Sequence, residues 1–317
     1  MKQKLLISTS ILLMSISCQP LFAGELSQDH LSIDLSKLSR DGGNSVTYLY
    51  DNNGTVNSSG DDTPLANTGS FNDAADLGYR LSGSKNITSN WSVNAGILRT
   101  VMDKTDSFSS TSSVGRLEIF RSPLTNEFDA AHSVVANYNS KLSGEELNLV
   151  YQLNTKLDVL LGLSHYKLDE RFRITSDDTH TAGVGVYTMN TSNDMLGLQI
   201  GLAANHKWSE NLGGYLVGKI GSYNNDATQS QYVDDSSFTR TNSGSKSGSS
   251  MMYDIRLGIN YYYSKQVVLN LGYQSVKLTN VALAEKHFNT TTTGSNTVDS
   301  SSDITWNGLN AGLKYNF

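Results

Sequence analysis

The chain has 317 residues, with 24 basic and 30 acidic side chains, a net charge of −6, 38% apolar residues, three prolines and a single cysteine. The acidic balance excludes a nucleic-acid binder, which calls for a basic patch, and the lone Cys18 excludes a disulfide framework or a thiolate metal centre. The apolar run Leu5 to Ile16 is short and broken by Ser8, Thr9 and Ser10, so it is no spanning helix, and no later stretch approaches one; a bilayer is then crossed only by a closed barrel of strands.

Lys2 and Lys4 precede that run, and Leu21-Phe22-Ala23 ends it. The pattern predicts a secretory signal peptide over residues 1–23, cleaved after Ala23. A lipid on Cys18 ranks second, because the residues before it lack the usual leucine. Cleavage removes two lysines and no acids, leaving 22 basic and 30 acidic side chains and a net charge of −8. In residues 24–43, Leu31, Ile33 and Leu35 alternate before Asp41-Gly-Gly-Asn44 interrupts. This stretch reads as an N-terminal periplasmic segment or an extra short strand. The barrel is expected over 44–317.

From there apolar and polar residues alternate with a period of two, the mark of strands with one greasy and one wet face. Strands are predicted at about 44–50, 74–84, 90–101, 113–122, 131–140, 144–153, 156–170, 193–206, 212–223, 251–261, 266–278 and 304–317. A sandwich shows the same alternation, but the connections decide against it. Those at 85–89, 123–130, 154–155, 207–211 and 262–265 are short, while those at 51–73, 102–112, 171–192, 224–250 and 279–303 are long. Only 141–143 breaks the order. Short turns at one end and long loops at the other are the habit of bacterial outer-membrane barrels, with an even strand count. The fold expected is an all-β transmembrane antiparallel barrel of about twelve strands, within a range of 10 to 14. Aromatics near strand ends agree, because amphipathic rings settle at bilayer interfaces. Trp91, Trp208, Tyr261, Tyr262, Tyr263, Tyr315 and Phe317 fall at the periplasmic ends, and Tyr48, Tyr50, Tyr166, Tyr223, Tyr253 and Trp306 near the opposite ends. In the last strand Leu309, Ala311, Leu313, Tyr315 and Phe317 form the apolar set. Tyr315 and Phe317 read as the signal for the barrel-assembly machinery.

Four further stretches carry a resemblance: His165-Tyr-Lys-Leu-Asp-Glu-Arg-Phe172, then Asn193-Asp-Met-Leu-Gly-Leu-Gln-Ile-Gly201, then Gly218-Lys-Ile-Gly-Ser-Tyr-Asn-Asn225, then Leu271-Gly-Tyr-Gln-Ser-Val-Lys-Leu-Thr-Asn-Val-Ala-Leu-Ala284. In order and spacing they resemble the planctomycete-type outer-membrane β-barrel family, which also has proteobacterial members, over about residues 157–317. The resemblance implies a barrel in the outer membrane. It implies no activity, because that family's function is unassigned.

The candidate lumen residues are Asp76, Arg80, Arg116, Glu118, Glu146, Lys219, Asp254, Arg256 and Lys314. An Arg or Lys facing lipid near the midplane would cost ~2–4 kcal/mol, so these charges face inward. Two readings follow. The preferred one is a narrow passive pore for small polar solutes, lined by these groups. The other is a structural or adhesive barrel presenting its loops, with a side-chain-filled lumen that carries no current. Lys167, Asp169 and Arg171 share one face with Glu170 opposite, as a rim ion-pair cluster or as solvated charge. Asp61-Asp62, Asp177-Asp178 and Asp234-Asp235 offer oxygen ligands but no recognised metal-binding spacing, so no metal and no cofactor are assigned. His180 beside Asp177 and Asp178, and His132-Ser133, lack an identifiable nucleophile, base and orienting group, so no catalytic residue and no enzyme are expected. The partners expected are outer-membrane lipid, lipopolysaccharide and the assembly machinery.

Overall fold

A computed structural model describes residues 29–42, 46–51, 63–71, 75–109, 117–119, 131–177, 184–234, 239–286 and 297–317. These hold thirteen strands: β1 (His30–Gly42), β2 (Thr47–Asp51), β3 (Thr63–Asn67), β4 (Ala75–Asn86), β5 (Trp91–Ser109), β6 (Leu117–Ile119), β7 (Ser133–Asn154), β8 (Leu157–Asp177), β9 (Val184–Lys207), β10 (Leu212–Asp234), β11 (Thr239–Tyr262), β12 (Val267–Val281) and β13 (Ser302–Asn316). Ten of them close into one antiparallel barrel in the order β1-β13-β12-β11-β10-β9-β8-β7-β5-β4, and β4 returns to β1. The other three form a small sheet, β3-β2-β6. The signal-peptide stretch lies outside the described residues.

The pairing register decides which face each residue shows. Directly paired residues share a face, so Asp34, Arg80 and Leu98 point one way on β1, β4 and β5. Their neighbours Ile33 and Leu81 point the other way and are exposed. Around the wall the exposed set is apolar. Leu196, Leu198, Ile200 and Leu202 on β9 are 53–63% exposed, as are Leu216 on β10 and Ile255, Leu257 and Ile259 on β11 to a similar degree. A water-soluble sheet would bury that face; here the buried face is the polar one, so the apolar belt faces hydrocarbon.

The belt reaches only part of the way up the wall. On β8 the outward residues run Val159, Leu161, Leu163, and then His165, Lys167, Asp169, Arg171, Arg173. On β10 they run Leu216, Ile220, and then Ser222, Asn224, Asp226. The lower ends join through turns of a few residues at 87–90, 155–156, 208–211 and 263–266. There Trp91, Trp208, Tyr261, Tyr263 and Tyr315 lie exposed, as the periplasmic girdle expected. At the same end the barrel closes through Leu31 paired with Tyr315 on the outward face, and the Phe317 amide donates to Asp29 O at 3.1 Å.

The strand count of ten falls inside the expected range, but the route to it differs. Residues 24–43 were expected to give a periplasmic segment or a short strand; His30–Gly42 is instead a full barrel strand, paired on both sides. Its wet set, Ser32, Asp34 and Ser36, is its lumen face. The predicted strands 131–140 and 144–153 are one strand, β7, so the irregular break at 141–143 is no connection at all. The predicted strands at 44–50 and 113–122 correspond to β2 and β6, which leave the barrel for the small sheet. Much of the predicted loops 171–192 and 224–250 is strand, because β8 to β11 carry on well above the belt. The outer aromatic belt also needs correction: Tyr166, Tyr223 and Trp306 lie on the lumen face and are buried, as is Tyr48 in the small sheet.

Candidate functional site: the closed lumen and its outer cap

Within the belt the lumen is crossed by charge. Arg80 on β4 reaches Asp254 on β11 at 2.8 Å and Glu146 on β7 at 3.3 Å. Lys219 on β10 reaches Glu146 at 2.6 Å and Asp254 at 3.1 Å. Arg80 and Asp254 stand four places apart around the ring and Lys219 and Glu146 three, so these two pairs cross the bore, whereas Lys219 and Asp254 are direct partners on adjacent strands. Gln199 donates to Glu146 at 3.3 Å and Gln274 to Asp254 at 3.2 Å, while the Tyr166 hydroxyl donates to Glu146. All four charged groups are buried. Burial of that kind is tolerated only where each charge has partners of opposite sign and its remaining lone pairs are met.

Tyr166 can lie flat against the wall because its cross-strand partner is Gly144. A Cβ at Gly144 would stand 2.3 Å from the Tyr166 ring. Gly144, just after the break expected at 141–143, is thus a seat for an aromatic ring, glycine and ring facing each other across two strands.

Below this cluster, toward the short turns, a polar cavity of about 50 Å³ remains, lined among others by Asp34, Asn94, Asn148, Arg256, Asn270 and Lys314. It has room for a few water molecules at roughly 10–15 Å³ each.

Above the belt a second closure is built. β12 ends at a bulge after Leu278, Asn280 takes φ 56°, and the chain turns into the lumen. Asparagine is among the few side chains that accept that backbone region readily. Asn193 clamps the turned segment, donating to Ala282 O and accepting from Ala282 N, both at 2.8 Å. Asn225 and Ser250 donate to Asn280 O at 3.2 and 2.8 Å. The segment delivers Glu285 to Arg40 at 3.0 Å, and Arg40 also meets Glu170 at 3.4 Å. The Ala284 amide donates to Glu170 at 3.1 Å. The Tyr138 hydroxyl lies between the two carboxylates, 2.8 Å from Glu170 and in close contact with Glu285.

This group stands outside the lipid level, since the outward neighbours of Glu170 are Asp169 and Arg171 and those of Arg40 are Ser39 and Asp41. Burial would lower the Arg40 value, yet Tyr138, Glu285 and Glu170 around it hold it above the ordinary arginine range. Burial, helped by the Glu285 charge, raises Glu170 against the pull of Arg40. Burial also raises Tyr138, against Arg40. Higher still, Tyr48, Leu49 and Phe71 from the small-sheet region pack on the inner-wall residues Tyr138, Phe172 and Met189. Ring centroids stand 5.3 Å apart for Tyr48–Phe172 and for Phe71–Tyr138.

Of the predicted lumen residues, Arg80, Glu146, Lys219 and Asp254 meet in one cluster. Arg256 stands beside it, 3.9 Å from Asp254. Lys314 faces the lumen lower down and lines the cavity. Asp76 shares the inner face but lies higher, where it accepts the Asp103 amide at 3.1 Å. Glu118 needs correction: it pairs with Tyr50 in the small sheet and lies on no barrel strand. Arg116 falls outside the described residues, as do Asp61, Asp62, Asp178, His180 and Asp235. Asp177 accepts the His132 and Ser133 amides at 2.9 and 2.6 Å, a backbone role. Among the described residues no three metal-ligating side chains converge. The residues missed were Arg40, Tyr138, Glu170 and Glu285. Glu170 carried a signal, a lone carboxylate opposite an outward charged face.

A closed antiparallel barrel with an apolar outer belt, a polar interior and both ends at the short-turn side defines an outer-membrane β-barrel protein, and the outer membrane is its place. No protein-family model matches the chain, and no curated protein matches it. Solved structures with which it aligns include the outer membrane protease OmpT from Escherichia coli, at 14% identity over 92% of this chain and 98% of that one, with a TM-score of 0.49. The toluene transporter TodX of Pseudomonas putida aligns at 11% identity over 93% and 91%, with a TM-score of 0.39. Ail, the attachment invasion locus protein of Yersinia pestis, aligns at 11% over 91% and 99%, with a TM-score of 0.27. These proteins have unlike activities, and those activities are their own.

Proposed function

We propose that this is an occluded barrel that works through its extracellular extension and not as a passive pore. The observation that carries this is the two ion pairs Arg80–Asp254 and Lys219–Glu146, which join non-adjacent strands across the bore and are tied into one cluster by Arg80–Glu146 and Lys219–Asp254. The inserted segment around Glu285 and the aromatic cluster above it add two further stoppers. The extension is substantial: the paired upper halves of β10 and β11, from Tyr223 to Asp234 and from Thr239 to Ser250, are rich in Ser, Thr, Asn and Gln. A hydroxyl- and amide-rich sheet held clear of the bilayer suits presentation to other surfaces, a structural or adhesive role. The reading includes no catalytic step. The resemblance of residues 157–317 to the planctomycete-type barrel family is compatible with it and supplies no activity.

Planar-bilayer recording tests it. The purified barrel should insert and pass no steady current, and liposomes bearing it should not swell in small sugars. A stable ohmic conductance in the unmodified protein returns the narrow pore for polar solutes.

A further inference from the structure

The outer wall above the belt is not uniform. On β5, β7 and β8 the outward face carries Arg99, Lys141, Lys167, Arg171 and Arg173. On β10 and β11 the outward positions hold no Lys or Arg at all: Lys219, Arg240, Lys246 and Arg256 fall on the inward register. On β9 the outward face likewise lacks Lys and Arg and bears Asp194. In a chain of net charge −6, five cations on one sector form a patch.

Four carboxylates share the sector, Asp103, Glu145, Asp169 and Asp177, but three are engaged, Asp177 by the His132 and Ser133 amides. Asp169 takes Lys167 at 3.0 Å and Ser192 at 2.7 Å, and Asp103 accepts from Asn139. Among the described residues no ion pair engages Arg99, Lys141, Arg171 or Arg173. The Nε of Arg173 is buried without a hydrogen-bond partner. Cations left unpaired beside a carboxylate, Glu145, that could take one are placed for something outside the chain.

Next to them the wall is concave. A groove of about 340 Å³ crosses the outer face from β7 to β10, with Asn139, Asp169, Arg171, Asn190, Ser192 and Thr228 on its sides. Asn190 donates to Ser230 at 3.4 Å along its far edge. Amides, hydroxyls and one carboxylate whose charge Lys167 offsets are the groups that bind sugar hydroxyls; the arginine at the side suits a phosphate.

Height selects the partner. Strand residues rise roughly 3.3 Å each along a wall tilted by about 40°, so each adds about 2.5 Å of height. Arg99 sits two residues above the lipid-facing Ile97, at the headgroup level. Lys167 and Arg171 sit four and eight residues above Leu163, roughly 10 and 20 Å higher. Acyl chains end below the groove, and sugars attached to them begin there.

We propose that the β5–β8 sector and its groove bind the phosphorylated core oligosaccharide of an outer-leaflet glycolipid standing beside the barrel. Arg99 meets the phosphates nearest the bilayer, Lys141, Arg171 and Arg173 meet those on the core sugars, and the groove takes the sugar hydroxyls. This goes beyond the proposed function and does not depend on whether the bore is closed.

The test uses the whole mature barrel, refolded in detergent and checked for folding by its heat-modifiable migration. It is titrated calorimetrically with three probes: lipopolysaccharide bearing a phosphorylated core, the same lipid after phosphatase treatment, and lipid A without core sugars. The first should bind best, with each of the other two weaker by about tenfold or more, as expected when a charge-assisted contact or a set of sugar contacts is lost. The double variant Lys141→Gln/Arg171→Gln should lose about tenfold or more for the first probe and little for the dephosphorylated one. Lys277→Gln, an outward cation on β12 paired to Asp303 at 2.9 Å, should leave binding unchanged. Equal affinity for all three probes, or unaltered binding by the double variant, overturns the proposal. So does equal binding of a soluble sulfated polysaccharide, which would make the patch a receptor for polyanions at large.

Discussion

The lumen is closed twice, and the two closures are made differently. At the lipid level every group that crosses the bore comes from a barrel strand: Arg80, Glu146, Lys219 and Asp254. Above the belt the closure depends on chain that has left the wall, the segment carrying Glu285 and the small-sheet region carrying Tyr48 and Phe71. The bilayer explains the division. At the belt the wall's lipid-facing strands must pair all their backbone groups and run unbroken, and here their inward side chains fill the interior. Above it water can satisfy the backbone, and β12 is able to end, turn inward and become a stopper. The lower closure is therefore part of the barrel's stability, whereas the upper one is a separable element resting on it.

That difference is most open to attack at Glu146. Glu146→Ala removes the carboxylate shared by Arg80 and Lys219, leaving two buried cations with only Asp254 between them. Breaking a buried pair by deleting one partner costs about 3–5 kcal/mol. Urea unfolding in detergent should show a loss of that size. Glu285→Ala, in the upper closure, should leave the global transition nearly where it was, because Glu170 still faces Arg40. Equal effects from the two variants would mean that the closures are not separable.

Glycine substitutions sharpen the same contrast. Gly144→Ala puts a methyl group into the Tyr166 ring in the lower closure and should destabilise by about 1–3 kcal/mol through overpacking. At Gly248, on the extracellular part of β11, a Cβ meets nothing within 4 Å. Gly248→Ala should stay within about 0.5 kcal/mol of the parent by the same unfolding measurement.

The lower closure was far more legible in the sequence than the upper. Arg80, Glu146, Lys219 and Asp254 each sit in a clean alternating strand, so the lipid cost of facing outward assigns their direction from sequence alone. What the alternation does not contain is which of ten strands stand opposite, so from sequence the narrow pore ranks ahead of the filled bore, and the pairs have to be located to weigh the two. The upper closure is made of exceptions to alternation: a strand that bulges at Asn280, and a carboxylate in a three-residue turn. Two strands were misplaced for a related reason. The stretches at 44–50 and 113–122 alternate well enough for a barrel but are recruited by the small sheet, a tertiary choice that period two does not encode. The N-terminal strand went the other way. Its polar lumen face, followed by Asp41-Gly42-Gly43-Asn44, resembles a solvated lead-in until its pairing with β13 is known.

Protonation gives the finest separation of the two closures. Glu170 lies above the belt and its value is raised by burial and by the Glu285 charge, so the folded cap favours the protonated form more than the open cap does. For a group raised in the folded state, the stabilising contribution is complete below the ordinary carboxylate range and is lost as pH climbs through the folded value. Glu170 shares Arg40 and Tyr138 with Glu285. Hydrogen exchange at Ala282 and Ala284, corrected for the intrinsic rate, should therefore show protection falling as pH rises from acid toward neutral. Amides of the strands around Glu146 should hold theirs over the same range. In Glu170→Gln, which keeps a neutral acceptor for the Ala284 amide, the cap's protection should no longer vary with pH across that window. A cap whose protection instead grows with pH would place the titrating proton elsewhere and detach Glu170 from the closure.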